Sequence, residues 1–172
     1  MQYISTRGEA PEDSFTDVLL AALARDGGLY VPKAWPRLSP GEIAGFKGKP
    51  YAEVACGVIK PFVGGSIADA DLARMIREAY ATFDAAEVAP LRELRDGEYF
   101  LELFHGPTLA FKDVAMQLLA RLMDHALAAK GGRVTIVGAP PGDTGGAAVE
   151  AFRGRDRADL VILFPNGRVS DV

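Results

Sequence analysis

Hydrophobic residues recur at helical spacing in three stretches of the first half of the chain. Ser14 is placed to cap a helix whose apolar positions run from Phe15 to Leu23, before the Asp26-Gly27-Gly28 turn. Similar spacing predicts helices over residues 51–62 and 69–83. Residues 29–31 form a short apolar strand, and the prolines within residues 35–40 indicate a loop. The first half is therefore predicted to be mainly helical, with a small β element.

The pattern changes from residue 99 onwards, where continuous apolar runs alternate with helical ones. Residues 99–104, 134–137 and 160–164 are strand candidates, and residues 112–129 and 144–152 have helical periodicity. Strands that alternate with helices are typical of parallel βαβ units, whose strands are buried. The predicted fold class is α/β, with a helical region over residues 1–95 and a partial parallel βαβ sheet over residues 96–172.

Composition and charge narrow the functional classes. The 172 residues are 49% hydrophobic and 24% charged, with a net charge of −4, which is ordinary for a soluble globular protein. There is no basic stripe for nucleic acid, no apolar run near the ~20 residues that span a bilayer, and no secretory signal pattern. Cys56 is the single cysteine, and with two histidines no metal cluster is expected. We expect a cytoplasmic protein without metal, nucleic-acid or membrane partners.

The predicted sheet is too small to be covered in the usual way. Parallel sheets normally have helices on both faces, whereas three strands and two helices leave open edges. We therefore expect the chain to be part of a longer protein. Self-association through an open sheet edge is a further possibility.

Lys112 is the first candidate for chemistry. Residues 102–113 run from a strand through the Gly106-Pro107 turn into a helix that begins at about Lys112. A helix N-terminus disfavours a cation. Helical spacing also places Lys112 on an apolar face that is expected to pack inward, together with Ala115, Met116, Leu119 and Met123. Both effects favour the neutral amine that a nucleophilic lysine needs. The alternative is a solvated Lys112, with Asp113 as a favourable acid in the first helical turn.

The segment Gly142-Asp143-Thr144-Gly145, followed by Gly146, is the second candidate. It follows a strand and opens a helix, so its backbone N–H groups could bind a phosphate or carboxylate. The alternative is a tight turn that Asp143 or Thr144 caps.

Three weaker candidates have simpler structural interpretations. Arg168, in residues 165–170 after the last strand, could bind an anion, although a surface turn is the commoner case. His105 is expected to be a structural turn residue. Ser5-Thr6-Arg7 could bind phosphate, but a solvated N-terminal segment is the simpler interpretation.

Five runs along the chain together resemble threonine synthase. They occur in the family's order and cover nearly the whole chain: residues 3–8, 26–32, 102–117, 142–145 and 164–170. The block Phe-His-Gly-Pro-Thr-Leu-Ala-Phe-Lys-Asp at residues 104–113 is highly specific. Gly-Asp-Thr-Gly is less so, because related enzymes of the same fold carry a similar loop.

The resemblance implies a pyridoxal-phosphate enzyme of fold type II, with a partial three-layer parallel βαβ sheet. Such an enzyme converts O-phospho-L-homoserine and water to L-threonine and phosphate, as a carbon–oxygen lyase. Lys112 would be the catalytic residue, carrying the cofactor covalently and moving protons. Asp143 and Thr144 would contact the cofactor, and Gly142-Asp143-Thr144-Gly145 would bind the substrate. Lys112 is expected in the first turn of its helix, near that loop, because both follow strand C-termini.

The chain departs from the family in its loop and in its length. Family members usually have Thr-Ser before Gly-Asp-Thr-Gly and Ser after it, whereas Pro140-Pro141 and Gly146 stand here. This weakens an anion-binding loop and leaves open a related phospho-lyase or dehydratase. The loop that binds the cofactor phosphate would lie beyond Val172. The 172-residue chain alone is therefore expected to be inactive, and a non-catalytic truncated scaffold is the remaining alternative.

Overall fold

The computed structural model of the chain describes residues 1–140 and 142–167. The chain forms two compact units, Met1–Arg77 and Glu78–Val172. The division expected at residues 95 and 96 falls within a β-hairpin of the second unit.

The first unit combines a three-stranded antiparallel sheet with helices. Its elements in chain order are β1 (Gln2–Ser5), β2 (Asp13–Ser14), α1 (Phe15–Ala21), β3 (Tyr30–Pro32), α2 (Pro40–Ala44) and α3 (Tyr51–Val63). Helix α4 (Asp69–Tyr80) carries the chain from the first unit into the second. The strand order is β2–β1–β3. The Tyr3 hydroxyl on β1 donates a hydrogen bond to the Phe62 carbonyl, 2.9 Å away, so the sheet is tied to α3.

The helices predicted for this half are confirmed, and capping residues set their ends. Ser14 caps α1 by accepting a hydrogen bond from the Asp17 N–H, and Gly64 ends α3 in the left-handed conformation. The loop predicted over residues 35–40 is confirmed through Ser39, the N-cap residue of α2, and only Pro40 belongs to the helix. Ser39 and Glu42 form a capping box there, with Pro40 in the first helical turn.

Asp26 joins the end of β1 to the turn before β3. Its carboxylate accepts hydrogen bonds from the Ser5 hydroxyl (2.7 Å) and from the N–H groups of Gly28 (2.9 Å), Glu9 and Ala10 (3.0 Å each). These hydrogen bonds hold the pKa of Asp26 below its usual value, and the bond from the Gly28 N–H has the largest effect. The expectation of a solvated segment is therefore wrong for Ser5, which is buried.

Gly28→Ala is expected to destabilise the first unit by roughly 1–3 kcal/mol. A Cβ at Gly28 would lie 2.2 Å from Ser5 Oγ and 3.0 Å from Asp26 Oδ1, and both atoms are already hydrogen-bonded. Thermal unfolding of the variant measures the cost. Ser5→Ala removes the nearest atom, so Gly28→Ala should cost less in that background. Equal costs in both backgrounds would contradict this account of the cluster.

The second unit begins its regular structure with an antiparallel hairpin. Its elements are β4 (Leu91–Arg95), β5 (Glu98–Leu101), α5 (Asp113–Lys130), β6 (Val134–Gly138), α6 (Asp143–Phe152) and β7 (Ala158–Ile162). The prediction that residues 99–104 begin the parallel sheet is wrong, since β5 pairs antiparallel with β4. The reason is the Asp96-Gly97 turn, where Gly97 has a positive φ of 76° and closes a hairpin.

The predicted parallel pairing of the last two strands is confirmed. β6 and β7 pair in parallel, with Val134 opposite Ala158 and Gly138 opposite Ile162, and α6 makes the crossover. The core of this layer consists of Ala120 from α5, Ala151 and Phe152 from α6, and Ala158 from β7. The half-buried side chains packed against it are Met116, Met123, Val134, Ile136 and Leu160.

In the part of the chain that the structure describes, the two parallel strands are covered on one face only. Their residues alternate between half-buried and exposed positions along β6 and most of β7. The prediction of fully buried strands is therefore wrong, because α5 and α6 lie on the same face of the sheet. Four large apolar side chains in and after these strands are exposed: Val137, Val161, Leu163 and Phe164.

Residues 1–140 and 142–167 contain neither a helix that could span a membrane nor a cluster of metal-binding side chains. No helix in that part of the chain has both the length and the apolar content to cross a bilayer. No group of three or more His, Cys, Asp or Glu side chains there is arranged to hold a metal ion.

Candidate active site

Lys112 lies at the N-terminal boundary of α5, as the sequence predicts. Its backbone is helical (φ −59°, ψ −27°), and its carbonyl accepts hydrogen bonds from the N–H groups of Ala115 (3.1 Å) and Met116 (2.8 Å). The half-buried side chain places Nζ 4.8 Å from the centroid of the Phe111 ring. The helical hydrogen bonds hold the Lys112 backbone, and the cation–π contact holds its Nζ near the Phe111 ring.

The helix face that carries Lys112 is less buried than predicted. Met116 and Met123 pack against the core of the sheet layer, but Ala115 is exposed. The fully buried residues nearest the helix start are instead Asp113 and Gln117. Apolar periodicity could not reveal this face, because both of its first residues are polar.

Asp113 is a buried acid that fixes the turn before α5. Its side chain has 0% exposure. Its Oδ2 accepts a hydrogen bond from the Thr108 N–H at 2.8 Å, and the Thr108 hydroxyl lies 2.9 Å from each carboxylate oxygen. The sequence alone predicts for Asp113 only a favourable position in the first helical turn. A threonine five residues before a helix-opening aspartate was the available signal.

The turn itself is tight and carries backbone strain. A Cβ at Gly106 would lie 2.4 Å from Asp113 Cβ and 2.5 Å from its Oδ2, so only glycine leaves room for the buried acid. Leu109 has a positive φ of 62°, a conformation that is unfavourable for a branched side chain. The Leu109 N–H donates to the Gly106 carbonyl at 3.0 Å. Asp113 and this hydrogen bond together hold the strained turn against the helix.

His105 anchors the start of the same turn. Its Nδ1 lies 2.8 Å from Asp84 Oδ1, and its Nε2 lies 2.8 Å from Glu102 Oε2. The hydrogen bond to Glu102, then that to Asp84, raises the pKa of His105 above its usual value. The structural role expected for this histidine agrees with these contacts.

His105→Gln is expected to lower the melting temperature more at about pH 5.5 than at about pH 9. The folded-state pKa of His105 is raised, so its stabilising effect is complete below the unfolded pKa of about 6.5 and is lost as the pH rises through the folded pKa. Thermal unfolding of both proteins across this range provides the comparison. A loss that is independent of pH would contradict the ion-pair assignment.

The Gly142-Asp143-Thr144-Gly145 segment opens α6, as expected for either interpretation. Gly142 is the N-cap residue, with φ 59° and ψ −135°, and no side chain caps the helix. The alternative that Asp143 or Thr144 caps the turn is therefore wrong. Asp143 is exposed, Thr144 is half-buried and Gly145 is buried.

Pro140-Pro141 and Gly146 are the positions around this turn that depart from the family pattern. A Cβ at Gly146 would meet no atom within 4 Å, so packing does not require glycine where the family usually has serine. Pro141 lies outside the described residues, and so does Arg168. Residues 165–167, before Arg168, are exposed.

Chain direction brings the start of α5 toward the turn before α6. Gly131, in the left-handed conformation, ends α5, and the chain then returns along β6. The 18 residues of α5 extend about 27 Å, whereas the five of β6 extend about 17 Å. Asp124, in the second half of α5, accepts a hydrogen bond from the Arg157 N–H just before β7 (3.2 Å), so the helix start is directed away from the N-terminal ends of the parallel strands. Contact between Lys112 and the Gly142 turn stays a prediction.

Comparison with known proteins gives a consistent result. The family model described as "Threonine synthase N terminus" matches residues 2–80. Threonine synthase from Pseudomonas aeruginosa is 58% identical over all of this chain, which covers 37% of that protein. The crystal structure of threonine synthase from Brucella melitensis with bound pyridoxal phosphate (PLP) is 62% identical, with a TM-score of 0.96 over 99% of this chain and 37% of its own. Yeast threonine synthase, at 35% identity, has a TM-score of 0.92 over 98% of this chain and 36% of its own.

The similarities to these three proteins extend over nearly the whole chain and include both units. The chain spans a little over a third of the length of the relatives that it matches. By sequence and by fold, this chain is similar along its whole length to the N-terminal portion of these threonine synthases.

Proposed function

We propose that this chain supplies the lysine side of a threonine synthase active site, with Lys112 as the covalent attachment point for PLP. The observation that carries the proposal is the position of Lys112 at the start of α5, directly after a turn held by a buried acid. The whole enzyme would be a carbon–oxygen lyase that converts O-phospho-L-homoserine and water to L-threonine and phosphate. Similarity to threonine synthases along the entire chain supports this assignment.

The described residues fit the covalent end of this cofactor. Attachment needs a primary amine that a ligand can reach, and the Lys112 side chain is only half-buried. The cofactor supplies an electron sink for the reacting carbon atoms. Lys112 would hold the cofactor in the resting enzyme and, once released by the substrate, would carry protons on Nζ.

The turn at the start of α6 is the proposed substrate side of the site. The N–H groups in the first turn of a helix attract anions, and Gly142-Asp143-Thr144-Gly145 would bind the substrate carboxylate there. Asp143 and Thr144 would also contact the cofactor. The position of this turn after the C-terminal end of β6 supports the proposal, since ligands of parallel sheets bind at that edge.

A second candidate function is a phospho-lyase or dehydratase that acts on a related substrate. Gly146 favours it, because the hydroxyl usual in the family is missing at a position where the structure has room for one. Both candidates use Lys112 in the same way and differ in the fate of the substrate carbon chain.

Product analysis distinguishes the two candidates. A full-length enzyme that carries this chain as its N-terminal portion is incubated with PLP and O-phospho-L-homoserine. The proposal predicts equal amounts of threonine and phosphate. Phosphate without threonine would favour the second candidate, and the absence of both products would contradict the first. The 172-residue chain alone, tested beside it, is expected to form no threonine.

A further inference from the structure

Within residues 1–140 and 142–167, the hydrogen bonds of the buried Asp113 side chain come from Thr108, and no cation pairs with it. Its 0% exposure removes the carboxylate from water, a cost that its hydrogen bonds offset. Those bonds come from Thr108, through its N–H at 2.8 Å and its hydroxyl at 2.9 Å. The acid therefore binds the turn before α5 and leaves the neighbouring Lys112 amine unpaired with it.

We propose that the Asp113 carboxylate and the Thr108 hydroxyl position Lys112 for covalent attachment of the cofactor. This inference rests on the proposed function of Lys112. Asp113 and Thr108 are positioning residues, because their polar atoms contact each other and act on the reaction only through the lysine between them in the chain.

The geometry gives a direct route for this effect. Lys112 and Asp113 are adjacent, so an anchor on the Asp113 side chain fixes the direction in which the Lys112 Cα–Cβ bond leaves the helix start. The anchor also offsets the strained φ of 62° at Leu109, three residues before the lysine. When the Thr108 hydroxyl is lost, the turn can relax, and the amine shifts relative to a cofactor held elsewhere.

Thr108→Val tests the proposal in a full-length enzyme that carries this chain. Valine replaces the hydroxyl with a methyl group of similar size and keeps the N–H bond to Asp113. Cofactor-free enzyme is mixed with increasing PLP, and the visible absorption band of lysine-bound cofactor is followed with time. The rate at saturating PLP should fall roughly tenfold, as expected when a reacting group is misplaced. The half-saturating PLP concentration should stay within about twofold, because the variant leaves the cofactor's non-covalent contacts unchanged.

Thr108→Ser is the matched control, since it restores the hydroxyl and should restore the rate. Melting temperatures of all variants, with assays well below them, separate a shifted lysine from an unfolded turn. An unchanged saturating rate in Thr108→Val, or an equal loss in Thr108→Ser, would overturn the positioning role. Absence of the band from the unsubstituted enzyme would overturn the proposed function of Lys112 itself, and with it this inference.

Discussion

Lys112→Ala is expected to reduce the turnover of O-phospho-L-homoserine by roughly 10³-fold or more in a full-length enzyme that carries this chain. The substitution removes both the covalent attachment point and the proton carrier. The adjacent residue, Asp113, cannot replace either function, because it has no amine and its carboxylate is hydrogen-bonded to Thr108. Phosphate release, measured continuously, gives the rate.

Two further variants make this result specific to the amine. Lys112→Arg keeps the positive charge but should be nearly as damaging, because a guanidinium stays protonated and cannot bind the cofactor covalently. Lys49→Ala removes an exposed lysine of the first unit and should retain near-normal turnover. Substantial activity in Lys112→Ala would show that another residue carries the chemistry.

Asp113→Ala is expected to destabilise the second unit by about 2–3 kcal/mol, which lowers the melting temperature by roughly 5–10 °C. The substitution leaves the N–H and hydroxyl of the half-buried Thr108 without their fully buried acceptor. It also removes the anchor that holds Leu109 at a positive φ. Differential scanning calorimetry measures the change.

Asp143→Ala is the matched control for this stability effect. Asp143 and Asp113 occupy the same position, the first residue of a helix, but Asp143 is exposed. Loss of its interaction with the helix dipole should cost under about 1 kcal/mol. If the two substitutions had equal effects, the dipole rather than the buried hydrogen bonds would account for the role of Asp113.

Local signals in the sequence were sufficient for most helices and for the last two strands. The apolar spacing within residues 51–62 and the Ser14 cap each predict an element that the structure contains. β6 and β7 follow from two β-branched runs separated by a helix. These predictions succeed because periodicity and capping act over a few residues and do not depend on distant partners.

The errors arose where a turn or a polar side chain decides the structure. Asp96-Gly97 closes a hairpin between β4 and β5. Without β4 as a known partner, the apolar run of β5 has the pattern of a strand in a buried parallel sheet. Asp113 is buried, although the apolar face predicted for this helix contains Lys112 and not Asp113. Its burial depends on the Thr108 donors, and hydrophobic periodicity carries no information about such bonds.

The first unit shows the same limit for long-range contacts. Residues 3–8 and 26–32 each resemble the family, yet nothing in either run indicates that Asp26 accepts a hydrogen bond from Ser5. The 2.2 Å approach of a Cβ at Gly28 to Ser5 Oγ explains the glycine only when both runs are seen together. The sequence shows that a glycine stands at position 28, but it does not show that contact with Ser5 requires the glycine.

Covalent attachment of PLP to Lys112 is tested most directly by chemical mapping. A full-length enzyme that carries this chain is incubated with PLP, reduced with borohydride, digested, and analysed by mass spectrometry. We predict that the reduced cofactor is found on the peptide that contains Lys112, and that the label disappears in Lys112→Arg. A label on a different lysine, or no label on any peptide, would contradict the account.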